Sequence, residues 1–167
     1  MLESLAFTFG TREILKKFIA EHPDRKLVLL ANSAGDDEGL QLLDVSGQPS
    51  LFKAGLNYQT QLHQGASDWQ GFYHFSYFKF DHDTADVFDA KINRLAASVP
   101  PHGMRAMYVL TKEKDAGSYL LLTIWNDSQD YLLWRDTPAF EPLKIYATSA
   151  NHFHSASYHR VSASETK

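Results

Sequence analysis

The segment Gly71–Phe80 constrains the fold most, because it sets large aromatic residues at both parities of an extended chain. Strand side chains alternate between faces, so Phe72, Phe78 and Phe80 share one face while Tyr73, Phe75 and Tyr77 share the other. A strand built this way has to be covered on both sides. Its aromatics admit two readings: they fill the cores of a sheet, or several of them line a pocket for a flat ligand.

The elements after it say what the coverings are. Asp83 or Thr84 caps a helix predicted over residues 85–98, with Phe88, Ile92, Leu95 and Val99 as its buried stripe. The run Pro100-Pro101-His102-Gly103 breaks the chain. Strands follow over Met104–Thr111 and Tyr119–Asn126, joined through Lys112–Ser118 with Ala116-Gly117 in the turn. Ser128 caps a second helix carrying Tyr131, Leu132 and Trp134. Pro138 opens its continuation to about residue 149, with Pro142 near the new start, where a missing N–H costs little. Ser155–Ser162 is the last strand and Ser164–Lys167 a polar tail. The order β-α-β-β-α-β is the ferredoxin-like split unit, so the fold class is α+β.

The first half is a looser echo. Leu5–Phe9 alternates as a strand, Gly10 ends it, and Thr11 caps a helix over residues 12–21 that turns Ile14, Leu15, Phe18 and Ile19 inward. His22-Pro23-Asp24 stops that helix. Strands are expected over Lys26–Asn32 and Gly39–Val45, then a turn at Ser46-Gly47, a short strand at Ser50–Phe52 and a short helix over residues 56–64. The chain thus divides into a degenerate N-terminal half, 1–69, and a ferredoxin-like domain, 70–167. A ferredoxin-like sheet leaves one face open, and the N-terminal half is expected to supply the second sheet that closes it, as in dimeric α/β barrels.

Composition removes several functions. None of the 167 residues is cysteine, which excludes a thiolate nucleophile, a Cys-ligated zinc and a disulfide framework, and fits a reducing cytoplasm. A formal net charge of −4 argues against a nucleic-acid partner. No apolar run approaches the roughly 18 residues that would span a bilayer, and Met1–Ser4 does not open a secretory signal, so no membrane partner is expected. Phosphate-binding Gly loops, nucleophile elbows and HExxH motifs are missing.

The segment Tyr119–Phe140 puts Trp125 at a strand end, Tyr131 on a capped helix, Trp134 three residues on and Phe140 six further. This resembles the core motif of the antibiotic-biosynthesis-monooxygenase superfamily, and its heme-degrading branch in particular. The stretch from Phe7 to Pro23 is similar to the start of the family's long form, which comprises the HmoB-type heme-degrading monooxygenases and the TRAP-type stress or signalling proteins. The resemblance implies a dimeric α/β-barrel fold, and heme as ligand or substrate with no separate flavin and no metal of the protein's own.

It also implies a site. In the family an Asn on the unit's first strand bonds distal oxygen, a Trp on the second helix bends the porphyrin, and a His at that helix's end ligates iron. Here the Trp is Trp134, the Asn position falls on Ser76 or Tyr77, and the His position on Lys144. An ammonium with a reference pKa near 10.4 offers iron no lone pair. The resemblance therefore implies heme degradation that is weak or absent.

Every candidate carries a plain alternative. Trp134 shapes a ligand pocket or holds helix to sheet, and Trp125 is packing. Lys144 contacts a propionate or is a solvated lysine. His74 shares a strand face with Ser76 and Phe78, so it is the substitute ligand or general base, or a hydrogen-bonded core histidine. His152, His154 and His159 replace the lost ligand, bind metal, or are ordinary strand and surface histidines. Asp81-His82-Asp83 reads as a helix cap and Asp36-Asp37-Glu38 as a solvated loop.

Two functions follow. One is a monooxygenase-like protein that binds heme or another small flat aromatic ligand through Trp134, His74, Phe78 and Lys144. The other is a non-catalytic, TRAP-like stress or regulatory protein. Either a monomer with an internal pseudo-dimer or a homodimer fits.

Overall fold

The computed structural model describes residues 2–33 and 39–161. Among them the N-terminal half runs β1 (Ser4–Gly10), α1 (Arg12–Glu21), β2 (Leu27–Asn32), β3 (Leu40–Asp44) and β4 (Leu56–Gly65). The C-terminal half runs β5 (Phe72–Lys79), α2 (His82–Ala96), β6 (Met104–Lys112), β7 (Asp115–Trp125), α3 (Ser128–Arg135), α4 (Glu141–Lys144), a 3₁₀ turn and β8 (His154–Arg160). The ferredoxin-like order from residue 72 on is therefore present.

The strands close into one barrel in the order β1-β3-β2-β8-β5-β7-β6-β4. One chain thus supplies both sheets. Two antiparallel seams join the halves: β2 with β8, where Leu30 faces Arg160, and β4 with β6, where Tyr58 faces Lys112. Inside lie Phe7, Leu30, Leu43, Tyr73, Phe75 and Leu122. Outside β5–β7, the helices cover Phe78, Phe88, Ile92, Trp125 and Trp134. A third cluster around Leu15, Leu29 and Leu42 sits beneath α1. The two parities of β5 therefore reach two cores, the physical sense of its double aromatic face.

Several local expectations are corrected. Residues 56–64 are strand β4, not a helix: Tyr58 and Thr60 alternate with Gln59 and Gln61, and the strand is needed to bridge β1 and β6. Ser50–Phe52 makes no strand. Asp81, not Asp83 or Thr84, caps α2 by accepting from Thr84 N at 2.7 Å. Asp127, not Ser128, caps α3. Val99, beyond the end of α2, is 89% exposed, and Ile14 on α1 faces solvent.

The long continuation from Pro138 is also absent. α3 stops at Arg135, because a residue before proline disfavours the helical region, and only the short α4 follows. The β6–β7 hairpin turns at Glu113-Lys114, and Gly117 lies inside β7. A Cβ at Gly117 would come 2.7 Å from the Phe80 carbonyl oxygen, so close packing holds that glycine, not a turn. Asp36-Asp37-Glu38 and Ser164–Lys167 lie outside the described residues.

Candidate functional site

Helix α3 lies over the outer face of the sheet. Asp127 Oδ1 accepts from Asp130 N at 3.1 Å and starts it, and a three-residue spacing then turns both Tyr131 and Trp134 toward the strands. Trp134 is buried between Trp125 and Phe140, at ring distances of 5.3 and 4.8 Å, and its Nε1 has no hydrogen-bond partner. Tyr131 lies over His74 of β5, with ring centroids 4.1 Å apart and its hydroxyl 2.9 Å from Nε2. On the other side of the ring, His74 Nδ1 is 2.8 Å from Ser157 Oγ, its cross-strand neighbour on β8.

Burial, with the nearby Arg135 charge, pushes the His74 pKa down to about 4. The imidazole is therefore neutral at pH 7. It has one donor and one acceptor nitrogen, so one flanking hydroxyl donates to the ring and the other accepts from it. The arrangement Ser157–His74–Tyr131 can hold or relay a proton.

Ser76 is buried on the same outer face, two residues along β5, and Phe78 follows it into the cluster with Phe80 and Phe153. Trp134, His74, Ser76 and Phe78 thus share one side of the sheet. Tyr77 does not: it projects into the barrel, stacked on His154 at 4.5 Å. Lys144 stands at the surface with its side chain 63% exposed, its Nζ 3.8 Å from Glu141 Oε1.

The space a flat molecule would take between β5 and α3 holds the stacked His74 and Tyr131 rings. Trp134 instead borders a cavity of about 330 Å³ with Leu95, Pro101 and Leu133, whose lining includes neither Ser76 nor Tyr77.

The remaining histidines scatter. His152 and His154 stand at one mouth of the barrel, where a cavity of about 400 Å³ is lined by Phe9, Tyr58, Tyr77 and Tyr158. His159 borders an open concavity of about 880 Å³ between the two halves. Among the described residues, no group of three His, Asp or Glu side chains could hold a metal ion. No helix among them is long and apolar enough to cross a membrane.

Sequence reasoning missed Ser157 and Gln41. Ser157 lies 83 residues from His74, and nothing local marks it. Gln41 did carry a signal, as a lone amide in the apolar run Leu40–Leu43.

Residues 72–143 match the family model of the antibiotic biosynthesis monooxygenases. Solved structures share the fold over nearly the whole chain. A ferredoxin-fold protein related to antibiotic biosynthesis monooxygenases, from Listeria monocytogenes, is 18% identical with a TM-score of 0.82, covering 97% of this chain and 96% of its own. A major regulator of staphylococcal pathogenesis is 15% identical with a TM-score of 0.79, covering 96% and 100%. The heme-degrading enzyme LmHde of Listeria monocytogenes is 17% identical with a TM-score of 0.75, covering 94% and 99%.

Proposed function

We propose, on the premise that residues 72–143 form an antibiotic biosynthesis monooxygenase domain, that this chain works as a non-catalytic stress or regulatory protein. In this reading its sheet–helix cleft has become a structural core. One observation carries it: Tyr131 stacks on His74 and shares a 2.9 Å hydrogen bond with it, in the layer between strand and helix that a porphyrin would need.

The residues present do not fit a bound heme. The axial position is Lys144, which is solvated and next to Glu141. The distal position is either a buried serine or a tyrosine on the far side of the sheet. The likeness to the staphylococcal regulator supports this reading.

A second reading, heme or flat-ligand binding on the outer face, is favoured by Trp134, whose buried Nε1 is unpaired beside a cavity, and by the likeness to LmHde. A heme titration followed in the Soret region, then ascorbate under air, separates the two. The expected result is no saturable Soret shift and no loss of the band. Rapid stoichiometric loss with iron release would overturn the non-catalytic reading.

A further inference from the structure

We propose that the exposed face of α2 docks a second copy of this chain, the two α2 helices packing antiparallel across a two-fold axis at Ala90. This interface does not depend on how the His74–Tyr131 layer is read, because the exposed face of α2 contributes nothing to that layer.

The exposed side of α2 carries its charges in two blocks. Asp83 and Asp86 stand on its first turns and Arg94 on its last, all exposed. Asp83, Val87, Ala90, Arg94 and the C-cap Ala97 follow one another at alternating spacings of four and three residues. That spacing makes one stripe along a helix, the pattern a helix presents to another helix. The whole stripe is open to solvent, Val87 at 52%.

Beside the stripe, between α2 and α4, runs an apolar groove of about 670 Å³ with Leu95, Pro142 and Ile145 in its walls and Arg94 at its edge. Ile145 is 61% exposed there. Lys91, on the same rim, lies 5.0 Å over the Tyr146 ring and is held by its own chain. Arg94 has no acidic partner in its own chain among the described residues. Asp86 meets His82 at 3.6 Å, but both side chains are exposed and the histidine is charged only when protonated.

The face is complementary to itself in one arrangement. Asp86 and Arg94 lie four residues either side of Ala90, about 6 Å along the axis each way. Antiparallel pairing about Ala90 therefore sets Asp86 of each copy against Arg94 of the other, so the ion pair forms twice. Ala90 meets Ala90, which lets the helices approach closely, and Val87 of each copy is set against the groove of the other beside Leu95. Parallel pairing would oppose like charges. The chain's net charge of −4 makes two copies repel at a distance, so only a register that matches opposite charges gains. The seam is one 15-residue helix per copy, small for an obligate interface, so the dimer depends on concentration and is weakened by salt.

The test is sedimentation of the full chain over a range of concentrations at low and high salt. A monomer–dimer equilibrium is expected, shifted to monomer at high salt. Asp86→Lys and Arg94→Glu each oppose like charges at two places, and each should weaken the dimer by roughly tenfold. An equimolar mixture of the two variants should restore it, because the introduced lysine then faces the introduced glutamate and the native Arg94 faces the native Asp86. Two variants that had failed to fold would not recover on mixing. The proposal is overturned by any of three results: a wild-type chain still monomeric at about 1 mM, a dimer that neither substitution weakens, or a mixture no more associated than its components. The first leaves the groove to another partner, and the second places the interface on another surface.

Discussion

Gln41→Leu should make the free protein more stable. The side chain is completely buried on β3, in the barrel interior with Leu43, and its amide lies beside the Tyr77 hydroxyl without a hydrogen bond of ordinary length and angle. Leaving a buried amide unpaired costs roughly 1–3 kcal/mol. Leucine has nearly the same volume, removes that penalty and adds apolar contact with Leu43 and the tyrosines around it. The expected gain is therefore about 1–3 kcal/mol. At about 2–4 °C per kcal/mol for a chain of this size, Tm should rise by roughly 2–12 °C. Urea unfolding and calorimetry would measure it, and Gln41→Glu, which buries a charge, should go the other way by several-fold more in urea midpoint. If Gln41→Leu lowers the urea midpoint, the amide is satisfied within the barrel, and the argument from its unpaired state collapses.

Three more outcomes are expected. His74 has a folded pKa of about 4 against 6.5 unfolded, so the unfolded chain binds the proton more tightly. Its contribution is fully present above pH 6.5 and is lost as pH falls toward 4, up to roughly 3 kcal/mol. Urea midpoints measured across that window should flatten in His74→Asn, and an unchanged slope would refute the shift. Asp44→Asn strands the buried Arg25 guanidinium, whose Nη1 lies 2.8 Å from Asp44 Oδ2, and should cost about 3–5 kcal/mol in chemical denaturation; a cost below about 1 kcal/mol would show the pair to be solvated. Lys144→His with Ser76→Asn should leave heme affinity in the Soret titration unchanged, whereas adding Tyr131→Ala, which empties the layer over His74, should raise it. A rise without the Tyr131 change would show that the cleft opens by itself.

The sequence alone carried whatever depends on neighbours within a turn or a strand. Alternation made Gly71–Phe80 a strand covered on both faces, and the 3.6-residue period put Phe88 and Ile92 on the buried side of α2. Thr11 was legible as a cap, and the caps at Asp81 and Asp127 were missed only by one to three residues, since several oxygen-bearing side chains there compete for the same N–H groups. The Trp125–Phe140 spacing lies within the stretch, residues 72–143, that matches the antibiotic biosynthesis monooxygenase family model.

What the sequence withheld depends on contacts far apart along the chain. Strand β4 is polar at alternate positions and has no strong apolar period of its own, so only its pairing with β1 and β6 makes it a strand. The separation of Ser76 from Tyr77 was beyond a reading that allowed a one-residue slip, because one residue along a strand moves a side chain from the helix-covered face to the barrel interior. Nor could composition say that Tyr131 would fill the layer beside Trp134, or that Gln41 would be buried beside Tyr77. Closure of the barrel decided both, by bringing β8 and its Ser157 against β5 and by enclosing an amide that local sequence would have left to water.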